Sequence, residues 1–237
     1  MPIRFRVRWI PLIATVLVAA LGIALGNWQT HRAEEKLAIQ AKMAVREHAQ
    51  PISVADAPPD VAEAEYRHVT LRGTFIPDWV SYLENRPYNG VSGFYVLMPF
   101  KLADANTTVL VARGWVPRDP GNRTKLPPIE TSPEVIQIEG VIRRDAGHVL
   151  QLGHAEAPRP GVIMQNLDIA EYAKASQLKL APFLVEQTGG PADGLVRDWP
   201  LPSLGIDRHR GYAVQWYALA VMAILFFVVT GFRRGTK

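Results

Sequence analysis

The 237-residue chain contains no cysteine. That absence excludes disulfides, thiolate zinc sites, cysteine-ligated iron–sulfur clusters, cysteine nucleophiles and c-type heme attachment. It also removes the thiolate pair expected of a Cu(I) carrier. A nucleic-acid footprint is missing too, although the formal net charge is +4 and the isoelectric point about 9.4. The basic excess sits at the two ends. Arg4, Arg6 and Arg8 precede the first apolar run, and Arg233, Arg234 and Lys237 follow the last one. Setting those six aside from the 26 lysines and arginines leaves 20 against 22 acidic residues, so the middle of the chain stands at −2. Basic residues placed this way are topology signals, and no nucleic-acid partner is expected. Catalytic signatures are scarce as well. The chain has no Walker loop, dinucleotide fingerprint or His-Glu-x-x-His. Gly90-Val91-Ser92-Gly93 starts like a nucleophile elbow, but Phe94 stands where the second glycine belongs, and a tight turn is the better reading. His148 and His154 lie six residues apart, which matches no standard metal site; they read as loop or strand-surface histidines. No enzyme is expected.

Two long apolar runs are present. Residues 9–26 carry no charge over 18 positions, close to the ~20 residues that cross ~30 Å of hydrocarbon. Pro11 falls in the first turn, where its missing N–H is harmless, and Trp9 and Trp28 bracket the run as interfacial anchors. Ala24-Leu25-Gly26 offers small residues of the kind a signal peptidase takes, but the run is longer than the ~7–15 residues of a signal-peptide core. In residues 212–232 only Gln215 and Thr230 are clearly polar. Arginine on both distal flanks puts both termini in the cytoplasm by the positive-inside rule. The expected organisation is a basic cytoplasmic N-terminus (1–8), a first span (9–28), an extracytoplasmic segment (29–208), a second span (209–232) and a cytoplasmic C-terminus (233–237).

The segment between the spans opens on a helix that continues out of the first one. Leu37, Ala41, Ala44 and Val45 recur at three- and four-residue spacing, and Pro51 ends the pattern before an Ala/Pro/Asp-rich linker to Pro59. Stretches 66–75, 79–84, 93–100, 107–116 and 134–143 are rich in valine, threonine and aromatics and are separated by Gly/Pro/Asn/Asp clusters, the signature of strands. Their spacing predicts an antiparallel sandwich or small barrel. Residues 117–133 carry five prolines and read as a surface loop. A short helix is expected at 168–177, where Asp168 and Glu171 have capping-box spacing, and a last strand at 183–187. The fold class is α+β: a mainly antiparallel β-rich extracytoplasmic domain flanked by two transmembrane helices.

Two histidines have informative positions. His31 lies three residues beyond Trp28, and His209 three residues before Tyr212, so both belong near the outer membrane interface. A helix starting near Asp207 puts His209, Tyr212, Ala213 and Trp216 on one face, while Arg32, Arg208 and Arg210 gather at the same level. Imidazole, guanidinium groups and aromatics at a membrane boundary are what a membrane-embedded heme requires: an iron ligand, propionate partners and an apolar wall. They are also common interfacial anchors, and the residues alone leave both readings open. Gly22 and Gly26 form a small-xxx-small pair that suits close helix approach.

Five motifs in order carry a resemblance. Leu25-Gly26-Asn27-Trp28-Gln29 is followed by Arg32 and Lys36. Glu65-Tyr66-Arg67 precedes Val69, Gly73 and Phe75, and Gly93-Phe94-Tyr95-Val96 precedes Pro99-Phe100. The last two are the block from Val109 through Arg113-Gly114-Trp115 to Pro117, and His209-Arg210-Gly211-Tyr212-Ala213-Val214-Gln215-Trp216-Tyr217. Together they resemble the surfeit locus protein 1 family of cytochrome c oxidase assembly factors. The resemblance implies a two-span protein of the bacterial inner membrane with a periplasmic β-rich domain, acting as a chaperone in building heme-a-containing oxidases. The partners it implies are the oxidase catalytic subunit, other assembly factors and the lipid bilayer. The cofactor it implies is heme a, bound transiently, with His209 as the iron ligand. Trp28, His31, Arg32, Arg208, Arg210, Tyr212 and Trp216 are the accompanying candidates. Two departures from the family pattern stand out: Ala112 replaces a frequent asparagine, and Asp207-Arg208-His209-Arg210 replaces an asparagine-bearing approach to the histidine. The alternative is a membrane-anchored adaptor that stabilises the nascent subunit by protein contact without binding heme.

Overall fold

A computed structural model describes residues 3–5, 7–54, 59–122, 124–151, 156–200 and 204–234; Arg6, His154, Lys237 and the linker residues 55–58 lie outside them. The chain divides into a helical unit, Met1–Ala44 with Pro202–Lys237, and a sheet unit, Val45–Leu201. In chain order the described elements are β1 (Ile3–Phe5), α1 (Trp9–Glu47), α2 (Val61–Ala64), β2 (His68–Phe75), a 3₁₀ turn (Pro77–Trp79), β3 (Ser81–Leu83), β4 (Gly93–Leu102), β5 (Thr108–Pro117), β6 (Ile136–Arg143), β7 (Ile163–Met164), α3 (Ile169–Ser176), β8 (Leu180–Gly189), α4 (Ile206–Gly231) and β9 (Phe232–Arg234).

In the helical unit, α1 runs unbroken for 39 residues. After Pro11 the next proline is Pro51, and strong helix formers fill the stretch between them. Helix α4 starts after Gly205, which sits in the left-handed region at φ 64°. Both helices are long and apolar enough to cross a membrane. Most of their large apolar side chains, Leu17 and Phe226 among them, are exposed. The buried positions of α1 are Ala19, Gly22, Gly26, Gln29 and Ala33, alternately three and four apart, which is the spacing of one packed stripe. Opposite them α4 buries Ala213 and Ala220. A Cβ on Gly22 would come 2.9 Å from the Trp216 carbonyl oxygen, and one on Gly26 would come 2.5 Å from the Tyr217 ring. The small-residue pair is what lets the helices meet. Strands β1 and β9 pair antiparallel beyond the helix ends.

The sheet unit closes on itself. Strand order is β2-β6-β8-β5-β4-β3-β7, and an added β2–β4 pairing joins five of these strands into a ring. This is the small-barrel alternative. The pairing is not simply antiparallel, however: β5–β8 and β3–β7 are parallel. A parallel pair needs a crossover of a dozen or more residues, and the proline-rich loop, β6 and α3 between β5 and β8 supply one. Closure depends on Gly73, where β2 meets β4. Any Cβ there would lie 2.0 Å from the Lys101 carbonyl oxygen.

Strand β5 is buried over its first eight residues because both of its faces are covered. Val109 and Val111 enter a core with Leu71, Phe100, Ile138 and Phe183. Leu110 and Ala112 enter another with Leu97, Tyr172 and Leu184. Tyr172 comes from α3, whose N-cap Asp168 accepts from the Ala170 and Glu171 N–H groups. Burial pushes the Tyr172 hydroxyl up to about 12, and the hydroxyl donates to the Trp79 carbonyl.

Between Val96 and Leu97 the β4–β5 register slips, so that Val96 faces Gly114 and Leu97 faces Ala112. Arg113 is the extra residue of the resulting bulge, a device that re-aims a side chain. Its guanidinium is buried, lies 4.4 Å above the Phe75 ring, and donates to Thr131, the Glu130 carbonyl and Asp193. Next to it Trp115 donates from its ring nitrogen to the Arg86 carbonyl at 2.7 Å, and its backbone exchanges two hydrogen bonds with Val196.

Candidate functional site

The contact between α1 and α4 carries a short ladder of polar side chains. His209 Nδ1 lies 2.7 Å from Gln29 Oε1. Farther along the pair, Tyr217 donates its hydroxyl to Asn27 Oδ1 at 2.8 Å, and that hydroxyl is 3.4 Å from Thr30 Oγ1. Thr30 in turn donates to the Gly26 carbonyl. The local reason is helical spacing. Gln29 continues the stripe of Gly22 and Gly26, and His209 stands four residues before the buried Ala213.

This geometry sets the tautomer. An amide oxygen only accepts, so Nδ1 carries the proton and donates it to Gln29. Nε2 has no hydrogen-bond partner among the described residues, and in the neutral ring it keeps its lone pair. Holding one ring nitrogen so that the other faces a metal is how proteins orient ligating histidines. Among the described residues no group of three or more His, Asp or Glu gathers to hold a bare metal ion. A single imidazole of this kind suits an iron whose other positions a macrocycle already fills.

The other candidate residues are placed as follows. Arg208, Arg210 and Tyr212 are exposed around His209, and Trp216 is half-buried. Neither arginine has an acidic partner among the described residues. His31 does not join His209. Its side chain is 71% exposed and is paired on its own helix with Glu34 and Glu35. Arg32 is engaged there as well, 2.8 Å from Glu35, and its hydrogen bond holds that carboxyl below the usual range. The Arg32 guanidinium also lies 5.9 Å over the exposed Trp28 ring. Two hundred degrees of helical rotation separate His31 from Gln29, which turns it away from α4. Asn27 and Gln29 stand in the first motif without having been site candidates, and Thr30 lies just beyond it. The signal for Gln29 was available in the 22, 26, 29, 33 stripe, where one polar residue interrupts small ones.

The site therefore offers one oriented imidazole, two guanidinium groups with no acidic partner among the described residues and apolar helix surface, a set that fits a ligand for heme iron and partners for its propionates. The comparisons with known proteins cover the same residues. The sequence profile of the SURF1 family matches residues 16–221. Surfeit locus protein 1 of Xenopus tropicalis is 28% identical over 225 residues, spanning 86% of this chain and 70% of its own. A SURF1-like protein of Monosiga brevicollis is 24% identical over 244 residues, spanning 94% and 88%. A SURF1-like protein of the bacterium Rickettsia felis is 27% identical over 227 residues, spanning 92% and 95%. With the contacting parts of both helices and the whole sheet unit inside the matched stretch, the chain belongs to the SURF1 family.

Proposed function

We propose that this protein is a non-enzymatic assembly factor for a heme-a-containing cytochrome c oxidase, holding heme a at the helix pair and presenting it to the maturing catalytic subunit. The observation that carries the reading is the His209–Gln29 contact, which engages Nδ1 and leaves Nε2 without a partner among the described residues. When bound, heme a would supply an iron that takes a nitrogen ligand and two propionates that take cationic donors. His209 would hold the iron through Nε2, with Gln29 keeping the ring from rotating. Arg208 and Arg210 each provide charge-assisted hydrogen bonds to carboxylates, stronger than neutral ones. Membership of the SURF1 family supports the oxidase-assembly part of the reading.

In this reading the first part of α1 (residues 9–28) and α4 are membrane spans, both termini are cytoplasmic, and the rest of α1 and the sheet unit are periplasmic, with arginine on both distal flanks as the support. A reporter that is active only in the periplasm, fused after Lys237, is silent on this topology; strong activity there overturns it. The functional reading is tested by purifying the detergent-solubilised full chain from a heme-a-producing host and recording its visible spectrum. Heme a copurifies if the reading holds. A chain that supports oxidase assembly but carries no heme is an adaptor instead.

A further inference from the structure

Within the sheet unit, a pocket of about 250 Å³ opens at the end of β3, lined by Glu84, Arg86, Ser92, Arg118 and Gln165 among others. Arg86 is the unusual member. It is 7% exposed, and a buried charge is normally matched by an opposite one. Among the described residues no carboxylate lies within ion-pair distance of it. Among the described residues its side-chain hydrogen bonds all leave from one terminal nitrogen, Nη2, to the carbonyls of Ala146, Gly147 and Gln165. Nε and Nη1 have no partner among the described residues, and the Tyr95 ring lies under the guanidinium at 5.7 Å.

The rest of the lining sharpens the picture. Glu84 is already shared: Arg118 approaches one carboxylate oxygen at 3.5 Å, and the Gln165 amide nitrogen donates to the other at 3.2 Å. Those two charges offset each other, so the wall is left with the net positive charge of Arg86. Gln165 Oε1 is buried with no hydrogen-bond partner. The cavity thus presents unused cationic donors and one unused acceptor. It is smaller than the roughly 300–1,000 Å³ of drug-sized ligand sites, which suits a small anion.

We infer that this cavity binds a small oxyanion that also carries a hydroxyl, such as hydrogen phosphate or the headgroup of a phosphate monoester. The anionic oxygens accept from Arg86, whose planar fork matches such groups, and from the Ser92 hydroxyl. The hydroxyl donates to Gln165 Oε1. This site is independent of the heme reading, since none of its residues belongs to the helix pair.

The test titrates inorganic phosphate into the purified full chain by calorimetry, at ionic strength matched with sodium chloride. Phosphate binds saturably, and sulfate, which has the charge but no proton to donate at neutral pH, binds roughly tenfold more weakly because Gln165 stays unsatisfied. Vesicles containing phosphatidic acid then identify the source. Displacement of phosphate assigns a lipid headgroup, and its absence assigns the free anion. Arg86→Gln lowers phosphate affinity at least tenfold, with circular dichroism confirming the fold. If that variant does not fold because Nη2 also staples three carbonyls, Arg118→Gln, at the more exposed rim, weakens binding severalfold in a folded protein. Phosphate heats no different from chloride, sulfate binding as tightly as phosphate, or undiminished binding in a folded Arg86→Gln chain overturns the inference.

Discussion

Asp193→Ala removes the single acid that two arginines share. Its Oδ2 accepts from Arg113 at 2.7 Å and its Oδ1 from Arg197 at 2.6 Å, with side-chain exposures of 9%, 4% and 15% for Asp193, Arg113 and Arg197. Oδ1 also accepts from the Leu195 N–H. These bonds hold the return segment after β8 across β5, where Trp115 and Val196 exchange backbone hydrogen bonds. Alanine leaves one guanidinium fully buried and a second beside it, with no opposite charge. Breaking a buried pair in this way costs about 3–5 kcal/mol. For a unit the size of Val45–Leu201, each kcal/mol moves the thermal midpoint by about 2–4 °C, so the expected loss is roughly 6–20 °C. Thermal unfolding of the purified full chain, followed by tryptophan fluorescence, reads it. Arg113→Met added to Asp193→Ala recovers much of the loss, because the uncompensated buried charge is gone. A midpoint within about 2 °C of the parent chain for Asp193→Ala, or no recovery in the double variant, refutes the argument that desolvation sets the cost.

Two more outcomes follow from the sheet unit. Trp115→Ala lowers stability by about 3–5 kcal/mol, since the ring packs on Gly93 and donates to the Arg86 carbonyl; the yield of folded protein falls while the heme spectrum per folded molecule stays unchanged. Glu186→Gln has a pH signature, because burial raises the Glu186 pKa despite Arg143 at 3.5 Å. Unfolded, Glu186 loses its proton near the ordinary value; folded, it does so at higher pH, so the charge costs stability above the folded value and the cost is relieved as pH falls through it. The variant is therefore more stable than the parent at pH 8, and its advantage shrinks on acidification; an advantage that grows toward acid would contradict the assignment, and melting curves from pH 8 to 4 decide it.

Much of the fold was legible because the strands announce themselves. In β2, β4, β5 and β6, β-branched and aromatic residues run between turn clusters, and the Asp168 cap and Pro51 stop are local signals. What stayed hidden is non-local. The parallel β5–β8 pairing joins segments more than sixty residues apart. Ring closure hangs on Gly73, whose backbone approach to Lys101 leaves no periodic trace. Strand β7 has two residues and α2 four, too few for any period to show. At the site, depth along the helices put His31 and His209 at one level, but depth carries no information about rotation. The stripe that contains Gln29 does, and it selects His209 alone as the histidine facing the partner helix.

The measurement that bears most directly on the account is a pair of visible spectra, His209→Ala and His31→Ala, each purified as the full chain from a heme-a-producing host. Both variants insert normally, because both residues lie outside the apolar runs and alanine is a good helix former. His209→Ala loses or strongly shifts the heme bands, and His31→Ala keeps them. A wild-type spectrum in His209→Ala, with loss in His31→Ala, contradicts the assignment of the ligand and of the Gln29 contact that orients it.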